Sequence, residues 1–181
     1  MEFLLKRLSK KMKDSIICRE IYKKIGDVDS ILDVGCGKGY LVNCLAQKFN
    51  KKVIGFDISN SGFLKSHEKC KKFGTCSLIE CRQGDAHNIN RYFQHKFDTI
   101  IISYTLHHIK KPVIALINIR KILKNKGKII IGDFWFTKRK KKRGCYRFTV
   151  DDIKKLLKKA GFKYFGQDRI SKDFVLITGE K

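Results

Sequence analysis

The segment Ile31–Tyr40 (ILDVGCGKGY) has the residue types with which a chain can bind a ligand through its backbone. Gly35, Gly37 and Gly39 alternate with other residues after a run of strand-forming side chains. Glycine lets the backbone approach a ligand closely, and the first turn of a helix offers N–H groups that have no internal partner. The spacing is G-x-G-x-G and differs from the G-x-G-x-x-G of dinucleotide-binding folds. Alone, it indicates only a tight turn.

Two carboxylates follow at comparable places further along the chain. Asp57 lies at the end of the next apolar run, and Asp85 follows the run after that, within the sequence GDA. An ionised carboxylate has two accepting oxygens, which suits the two hydroxyls of a ribose, and it can also accept from the amino group of an adenine. Each acid alone is typical of a helix start or a turn. Three such features at successive strand ends are specific.

These features need a scaffold that brings the ends of successive strands together. Apolar, β-branched runs alternate with stretches of helical periodicity. We predict strands at 30–34, 52–58, 77–83, 97–103, 128–135, 162–167 and 173–178, and helices at 3–25, 40–49, 61–73, 89–93, 112–124 and 150–160. This alternation predicts an α/β fold with a doubly wound sheet that ends in an antiparallel hairpin. Ligands on such sheets bind at the carboxyl ends of the strands.

In these ordered blocks the sequence resembles the class I S-adenosylmethionine-dependent methyltransferases, in the compact subgroup with a Leu-His-His segment after the fourth strand. The resemblance covers residues 30–179. It implies a Rossmann-like methyltransferase fold, with a seven-stranded, mostly parallel sheet whose last strand is antiparallel. It also implies S-adenosyl-L-methionine as the cofactor. We therefore expect residues 1–26 to form a basic amphipathic N-terminal helix that acts as a cap, and residues 27–181 to form the methyltransferase domain.

The resemblance assigns roles to individual positions around the cofactor. Asp57 would bind the ribose, and Ile58 would pack on the adenine. Asp85 and the backbone of Ala86 would recognise the adenine edge, while Ser103 would lie near the methionine and the methyl group. Residues of the glycine-rich segment would surround the methionine part, namely Asp33, Gly35, Cys36, Gly37 and Gly39.

Catalytic candidates follow the fourth predicted strand, where the acceptor and the methyl group would meet. Methyl transfer from a sulfonium is an in-line displacement, so the protein mainly has to align the acceptor. A general base is needed only where the acceptor arrives protonated. His107 and His108 are the candidate bases, with Tyr104 and Asp133 behind them. The alternative is that both histidines only pack and cap the loop after the strand.

The chain is strongly basic, with 41 Lys and Arg against 17 Asp and Glu and a formal net charge of +24. Such a charge favours anionic partners, such as RNA, an anionic membrane surface or a phosphorylated substrate. The segment after the fifth predicted strand concentrates positive charge without an acid, and we expect it to face the acceptor. The alternative is a solvated lysine run. The candidate anion-binding residues are Lys138, Arg139, Lys140, Lys141, Lys142, Arg143 and Arg147.

The sequence leaves the methyl acceptor and the oligomeric state open. The leading hypothesis is methyl transfer to a small-molecule or lipid-like acceptor. The alternative is a tRNA or rRNA methyltransferase that uses the basic segment, and a second alternative is an inactive cofactor-binding interaction module. The glycine spacing and the terminal hairpin argue against a nicotinamide dehydrogenase. The absence of an Asn-Pro-Pro-Tyr type of segment argues against amino-group methylation of adenine or cytosine.

The cysteines and the apolar runs bear on the compartment. Seven cysteines contain no C-x-x-C pair, so we expect free thiols rather than a disulfide framework, no metal site and a reducing environment. The longest apolar runs have the length of strands, so we expect no transmembrane span. The first residues lack the apolar block of a secretory signal. Together these observations predict a cytoplasmic protein.

Overall fold

The computed structural model describes residues 10–136, 140–142 and 145–181. The helices are α1 (Lys10–Ile25), α2 (Tyr40–Phe49), α3 (Phe63–Phe73), α4 (Pro112–Lys121) and α5 (Val150–Lys159). The strands are β1 (Ile31–Val34), β2 (Val53–Asp57), β3 (Ile79–Gln83), β4 (Phe97–Ser103), β5 (Leu123–Phe134), β6 (Lys140–Lys142), β7 (Cys145–Arg147), β8 (Lys163–Ser171) and β9 (Phe174–Glu180). Short 3₁₀ turns follow β2, β3 and β4 at Asn60–Gly62, Ala86–Arg91 and Leu106–His108.

Seven of the strands form one sheet in the order β3-β2-β1-β4-β5-β9-β8. β1 pairs in parallel with β2 and β4, and β4 pairs in parallel with β5. The last strand, β9, runs antiparallel to both of its neighbours. The predicted doubly wound sheet with an antiparallel last strand is therefore confirmed. The carboxyl ends of β1, β2 and β4 lie side by side, which is where a ligand is expected.

The sheet is covered on both faces. Alternate residues of a strand point to opposite faces, so Leu32 and Ile100 join one apolar cluster while Ile31 and Ile101 join the other. Side chains of α4 and α5 belong to the first cluster, and side chains of α1, α2 and α3 belong to the second. Strands buried on both faces have largely apolar sequences, which explains the three consecutive isoleucines at residues 100–102 of β4.

The N-terminal helix packs against the second cluster through one stripe of side chains. Ile17, Cys18, Ile21 and Ile25 are buried there, at the spacing of one helix face. The helix that we predict at residues 3–25 is described from Lys10 onward, and residues 1–9 lie outside the described residues. The described part is thus a helix that buries one apolar face against the second face of the sheet.

The chain departs from prediction between α4 and β5. The helix ends at Lys121 rather than at residue 124, and β5 begins at Leu123. The register between β4 and β5 shifts between Leu123 and Lys128, which marks a bulge in the ladder. Lys126 has a left-handed φ of 61° there. The turn-forming residues that predict a helix end therefore mark this bulge instead.

The basic segment after β5, which we predict as a loop, contains an antiparallel hairpin. β6 and β7 pair from Lys140 with Arg147 to Lys142 with Cys145. Three of the predicted anion-binding residues, Lys138, Arg139 and Arg143, lie outside the described residues. The backbone of this segment is thus more regular than a solvated lysine run requires.

The prediction of free thiols is wrong for two pairs of cysteines. Disulfides join Cys18 to Cys44 and Cys70 to Cys76, with Cα–Cα separations of 6.5 Å and 4.7 Å. The first pair forms where α1 packs on α2, and its members are 26 residues apart in the sequence. Spacing alone does not show which cysteines helix packing will bring together. The inference of a reducing environment from unpaired thiols therefore loses its basis.

Two further observations concern the part of the chain that the structure describes. None of its helices is both long and apolar enough to cross a membrane. Its His, Cys, Asp and Glu side chains form no group of three that could hold a metal ion. Cys36 and Cys81 remain as free thiols within it.

Candidate active site

The glycine-rich turn joins β1 to α2 and is held against the end of β2. The N–H groups of Gly35 and Cys36 donate to the carbonyl oxygen of Phe56 at 2.7 Å and 3.3 Å. Gly35, Gly37 and Gly39 have φ angles of +79°, +49° and +65°, in the left-handed region that favours glycine. Alternate positions of the turn therefore require glycine for its backbone path.

Gly35 and Gly37 differ in the space around them and give a matched pair of variants. A Cβ atom at Gly35 would lie 2.1 Å from Thr105 Oγ1, whereas a Cβ atom at Gly37 would meet nothing within 4 Å. Both substitutions carry the strain of a positive φ. We expect Gly35→Ala to lower the free energy of unfolding by about 1–3 kcal/mol more than Gly37→Ala, because only Gly35 would be overpacked. Urea unfolding measures the difference, and equal losses would contradict the expectation.

A cavity of about 330 Å³, the Asp33 cavity, lies beside the turn. Its lining includes Asp33, Gly35, Cys36, Ser103 and Tyr104. Asp33 is buried, and its Oδ1 has no hydrogen-bond partner among the described residues. Burial, together with the charge of Asp57, raises the pKa of Asp33 to about 8. A buried carboxyl group in this state favours a cationic ligand, because a positive charge would stabilise its ionised form.

A larger cavity of about 610 Å³, the Asp57 cavity, adjoins the first, because Gly35 and Tyr104 line both. It lies at the ends of β1 and β2 and at the turns after β3 and β4. Ile58 is 70% exposed and belongs to its lining. An apolar side chain at the wall of a cavity is suited to covering a flat, apolar ligand face. The lining also includes Asp57, Asp85, Ala86, Thr105 and His108.

Asp57 connects the end of β2 to the glycine-rich turn that follows β1. It ends β2, and its carboxylate accepts hydrogen bonds from the Gly37 N–H at 2.8 Å and from the Ser59 N–H at 3.0 Å. The two bonds go to different oxygens, and each oxygen has a second lone pair for another donor. The carboxylate therefore both shapes the glycine turn and retains acceptor capacity toward the cavity.

Asp85 begins the 3₁₀ turn after β3. Its Oδ1 accepts a hydrogen bond from the His87 N–H at 2.9 Å and lies 2.7 Å from His87 Nδ1. The bond from the His87 backbone lowers the pKa of the Asp85 carboxyl group below its usual value. Asp85 is therefore an acceptor at neutral pH. His87 is not among the predicted site residues, because a histidine two residues after a turn aspartate has no distinctive pattern.

The two candidate histidines have different surroundings. His107 is buried, and its Nδ1 lies 2.7 Å from Asp133 Oδ1. His108 is exposed and lines the Asp57 cavity. The ring centroids of His107 and His108 are 4.1 Å apart. Burial, followed by the charge of His107, lowers the pKa of His108. Only His108 is therefore in a position to contact a ligand in the cavity, while His107 supports it from behind.

Asp133 is held at the end of β5 by its own backbone. Its Oδ1 accepts a hydrogen bond from the Phe134 N–H at 2.8 Å, and its Oδ2 is buried without a partner among the described residues. A buried carboxylate with so few donors relies on its contact with His107. The pair is thus a unit, and removing His107 would leave the buried Asp133 carboxyl group without its imidazole partner.

Tyr104 separates the two cavities. Its φ of 54° is uncommon for a residue other than glycine, and its N–H donates to the Gly132 carbonyl oxygen at 2.8 Å. Its ring packs against Phe134 and Phe174, with centroids 5.1 Å and 4.7 Å away. Burial raises the pKa of Tyr104 to about 12, so its hydroxyl stays protonated at neutral pH.

The strand order, the glycine turn and the acids at the strand ends belong to one known family. A family model described as "Methyltransferase domain" matches residues 25–165. The chain belongs to the class I S-adenosylmethionine-dependent methyltransferases. Its cofactor is accordingly S-adenosylmethionine, as predicted.

Individual relatives of this methyltransferase differ in their substrates. The chain is 30% identical over 149 residues to phosphoethanolamine N-methyltransferase 1 of Zea mays. The aligned region covers 77% of this chain and 29% of that protein. It is 29% identical over 145 residues to the tRNA U34 carboxymethyltransferase of Aliarcobacter butzleri, covering 74% of this chain and 47% of that protein. The chain thus spans less than half the length of either relative.

The fold is also that of a solved structure. A S-adenosylmethionine-dependent methyltransferase from Aquifex aeolicus is similar with a TM-score of 0.78 and 17% sequence identity. The match covers 95% of this methyltransferase and 93% of that chain. At this identity the likeness concerns the fold alone.

The residues present fit the cofactor. S-adenosylmethionine carries a positive α-amino group at its methionine end, and Asp33 offers an unpartnered, buried carboxyl oxygen beside the smaller cavity. The other end is a ribose and an adenine, for which the larger cavity offers the carboxylates of Asp57 and Asp85 and the apolar side chain of Ile58. The two cavities adjoin, as a single extended ligand requires.

Most of the predicted cofactor residues lie together around the two cavities. Gly37, Gly39 and His107 line neither one. Arg147, the last of the predicted anion-binding residues, has its guanidinium over the ring of Phe136, 5.0 Å from the centroid. Several lining residues were not among the predicted site residues, namely Asp14, Ile17, Lys38, Lys69, Thr105 and Lys110. Tertiary packing brings side chains of α1 and α3 to the Asp33 cavity. No local sequence pattern predicts such a contact between distant helices.

Proposed function

We propose that this methyltransferase transfers a methyl group from S-adenosylmethionine to a small-molecule or lipid-like acceptor that meets the methyl group beside His108. The observation that carries the proposal is the meeting of the Asp33 and Asp57 cavities at Gly35 and Tyr104, with His108 on the wall of the larger one. The bound cofactor supplies an electrophilic methyl group on a sulfonium. The chain has to hold that cofactor, orient the acceptor and accept its proton.

In this proposal the larger cavity holds the adenosine. Asp57 accepts from the ribose hydroxyls through the acceptor capacity that its bonds to the turn leave, and Ile58 covers the adenine. The ionised Asp85 accepts from the exocyclic amino group, and the backbone of Ala86 completes recognition of the adenine edge. Ser103 lines the smaller cavity and lies on the methionine side.

The methionine end lies in the smaller cavity, within reach of Asp33. Asp33, Gly35 and Cys36 line this cavity, and the backbone of Gly37 and Gly39 completes the turn beside it. A carboxylate next to the α-ammonium group of the cofactor would offset the desolvation that keeps Asp33 protonated. Binding of the cofactor should therefore release the proton of Asp33.

Proton release is the expected sign of this contact. Asp33 has a pKa of about 8 without ligand, so it is mostly protonated at pH 7. We expect S-adenosylhomocysteine, which keeps the α-ammonium group, to release up to about one proton per site at pH 7 and to bind more tightly as the pH rises from 6 to 8. Calorimetry in buffers of different ionisation enthalpy measures the release. Asp33→Asn should bind without it, and release of the same size in that variant would contradict the assignment.

We propose that the N-terminal helix acts as a cap on the methionine side, and that residues 27–181 form the catalytic domain. Asp14 and Ile17 of α1 belong to the lining of the Asp33 cavity, and the disulfide between Cys18 and Cys44 ties the helix to α2. A cap in this position would keep water from the methionine end, where the charge of the cofactor and Asp33 meet.

His108 is the proposed general base of the reaction. Its lowered pKa leaves the imidazole neutral at neutral pH, which is the form that can accept a proton. His107 packs against it and is held by Asp133 through the 2.7 Å contact. His107 and Asp133 are thus positioning residues, since neither belongs to the lining of the Asp57 cavity, which His108 lines.

Methyl transfer to a fractionated extract tests the proposal. The protein is incubated with S-adenosylmethionine labelled in its methyl group, and label is measured in RNA, lipid, protein and small-molecule fractions. We expect label in the lipid or small-molecule fraction, and its loss with His108→Gln. Label in RNA alone would overturn the proposed acceptor class. Absence of label in all fractions, with S-adenosylhomocysteine still bound, would instead favour the inactive cofactor-binding module.

RNA is the second candidate acceptor, because the basic hairpin follows β5 and the relative from Aliarcobacter butzleri acts on tRNA. Each phosphate contact on a single strand lowers log affinity by about 0.7 per unit of log salt. If RNA is the acceptor, replacing Lys140, Lys141 and Lys142 with serine should make tRNA binding less dependent on salt. The slope of log affinity against log salt should fall by the contribution of about two to three phosphate contacts. Filter binding across a salt series measures this slope. An unchanged slope would leave the hairpin without a role in RNA binding.

A further inference from the structure

A slot of about 290 Å³ lies next to the Asp57 cavity, and none of the residues proposed to hold the cofactor lines it. This slot, the Ile114 slot, has apolar walls at the start of α4, on β7 and on α5. The walls include Pro112, Val113, Ile114, Tyr146 and Leu156. Ile114 is 45% exposed, so its side chain is accessible to a ligand in the slot.

One end of the slot is positive. Lys110 and Lys111 line it, and none of its lining residues is acidic. The N-terminus of α4 lies at the same end, so the partial positive charge of the helix dipole adds to the positive potential. An apolar slot with two ammonium groups at its mouth is complementary to a molecule that has an apolar body and an anionic head.

The slot is continuous with the proposed reaction site. Lys110 lines both the Ile114 slot and the Asp57 cavity, whose lining includes His108. A molecule whose head lies against Lys110 therefore has that head at the boundary of the two spaces. A nitrogen or oxygen nucleophile carried near the head would be delivered toward His108, while the apolar body stays in the slot. Its bond to the methyl carbon would form as the methyl–sulfur bond breaks, its proton would pass to His108, and S-adenosylhomocysteine would leave.

We propose that the Ile114 slot binds the apolar body of an anionic amphiphile, a phosphate or carboxylate on an aliphatic chain, and that this amphiphile is the class of methyl acceptor. The proposal rests on the proposed function and names its acceptor class. Four of the eight lining residues, Pro112, Val113, Ile114 and Leu156, are aliphatic, and they suit an aliphatic chain better than the polar edges of a nucleobase, which need hydrogen-bond partners. The rings of Tyr146 and Phe148, which also line the slot, are stacked with their centroids 5.7 Å apart.

Calorimetric titration of the full chain, saturated with S-adenosylhomocysteine, tests the slot with three probes below their micelle concentrations. Decyl phosphate carries both parts of the proposed ligand, inorganic phosphate carries only the head, and decyl maltoside carries the chain with a neutral head. We expect one site for decyl phosphate and affinities at least about tenfold weaker for the other two probes, since each loses one part of the recognition. Equal affinity for decyl phosphate and decyl maltoside would overturn the role of the lysines.

The chain offers a matched control for the slot. Ile114→Asp places a negative charge against the head and removes an apolar wall, so decyl phosphate should bind at least about tenfold more weakly. Ile117→Asp lies on the same helix and changes an isoleucine of similar exposure, 39%, that does not line the slot, so its affinity should stay within about twofold. Lys111→Gln should weaken binding and reduce its dependence on salt. Equal losses in the two aspartate variants would overturn the proposal.

Two further outcomes keep this proposal distinct from the proposed function. If decyl phosphate fails to bind while total tRNA binds and is weakened by Ile114→Asp, the slot belongs to a nucleic-acid interface and the amphiphile is rejected. If decyl phosphate binds as expected but no fraction of an extract is methylated, the proposed methyl transfer fails while the binding site stands. Binding of S-adenosylhomocysteine should be the same in all of these variants, which shows that each remains folded.

Discussion

Replacing His108 with glutamine is expected to lower kcat by about 100- to 10,000-fold, which is the contribution of a general base. The imidazole lines the Asp57 cavity, and its lowered pKa keeps it neutral and able to accept a proton. The affinity for S-adenosylhomocysteine should stay within about twofold, because no proposed cofactor contact is removed. Steady-state kinetics with the acceptor fraction and calorimetry with S-adenosylhomocysteine separate the two effects.

His67→Gln is the control for this prediction, because His67 is an exposed histidine of α3 that lines neither cavity. If His108 only packs its loop, His108→Gln will keep a rate near that of the unchanged protein and lower the melting temperature. That result would assign the histidine to structure. His107→Gln should lower both rate and stability, since it leaves the buried Asp133 carboxylate without its partner.

The pH dependence of kcat follows from the same pKa. Burial and the charge of His107 lower the pKa of His108, so the neutral form persists to a lower pH than the usual value of about 6.5. The rate should therefore be flat near neutral pH and fall only at a pH below that usual value, as His108 becomes protonated. A profile that continued to rise well above pH 7 would show that another group limits the reaction.

Replacing Asp57 with alanine is expected to weaken the affinity for S-adenosylhomocysteine by about 2–4 kcal/mol. The substitution removes the acceptors proposed for both ribose hydroxyls. It also removes the acceptors of the Gly37 and Ser59 N–H groups, so the glycine turn loses a bond that holds its shape. Calorimetry of the unchanged protein and the variant gives the difference, and equal affinities would contradict the assignment.

Asp57→Asn and Ser59→Ala divide this loss into its parts. Asp57→Asn keeps the shape of the side chain and one accepting oxygen, so its affinity should lie between those of the unchanged protein and the alanine variant. Ser59→Ala keeps the backbone N–H that binds Asp57 and should leave affinity within about twofold. A large loss with Ser59→Ala would show that the turn, and not the carboxylate, limits binding.

The parts of the fold that follow from local pattern could be predicted from the sequence. The bounds of α2 and β4 agree with the prediction because α2 has continuous helical periodicity and β4 is mostly apolar and β-branched. Likewise, α5 begins after the capping box of Thr149 with Asp152. The antiparallel hairpin at the end follows from two strand-like runs with no helix between them. The order of Gly35, Asp57 and Asp85 at strand ends then fixes the side of the sheet that binds a ligand.

The remaining features arise only when distant segments pack together. The contact between His107 and Asp133 joins residues that are 26 positions apart, and the disulfide of Cys18 with Cys44 joins two helices. The Ile114 slot draws its walls from α4, β7 and α5, which no single sequence window contains. Likewise, His107 and His108 differ in burial. Because they are adjacent in the sequence, no local pattern distinguishes them.

A crystal structure of the protein with S-adenosylhomocysteine is the measurement that tests the central claim most directly. We expect the ribose hydroxyls within hydrogen-bond distance of Asp57, the adenine between Ile58 and Asp85, and the α-ammonium group beside Asp33. The sulfur should then lie near Tyr104, where the two cavities meet, with its free side turned toward His108. S-adenosylhomocysteine found outside these two cavities, or bound without contact to Asp57 and Asp33, would contradict the account.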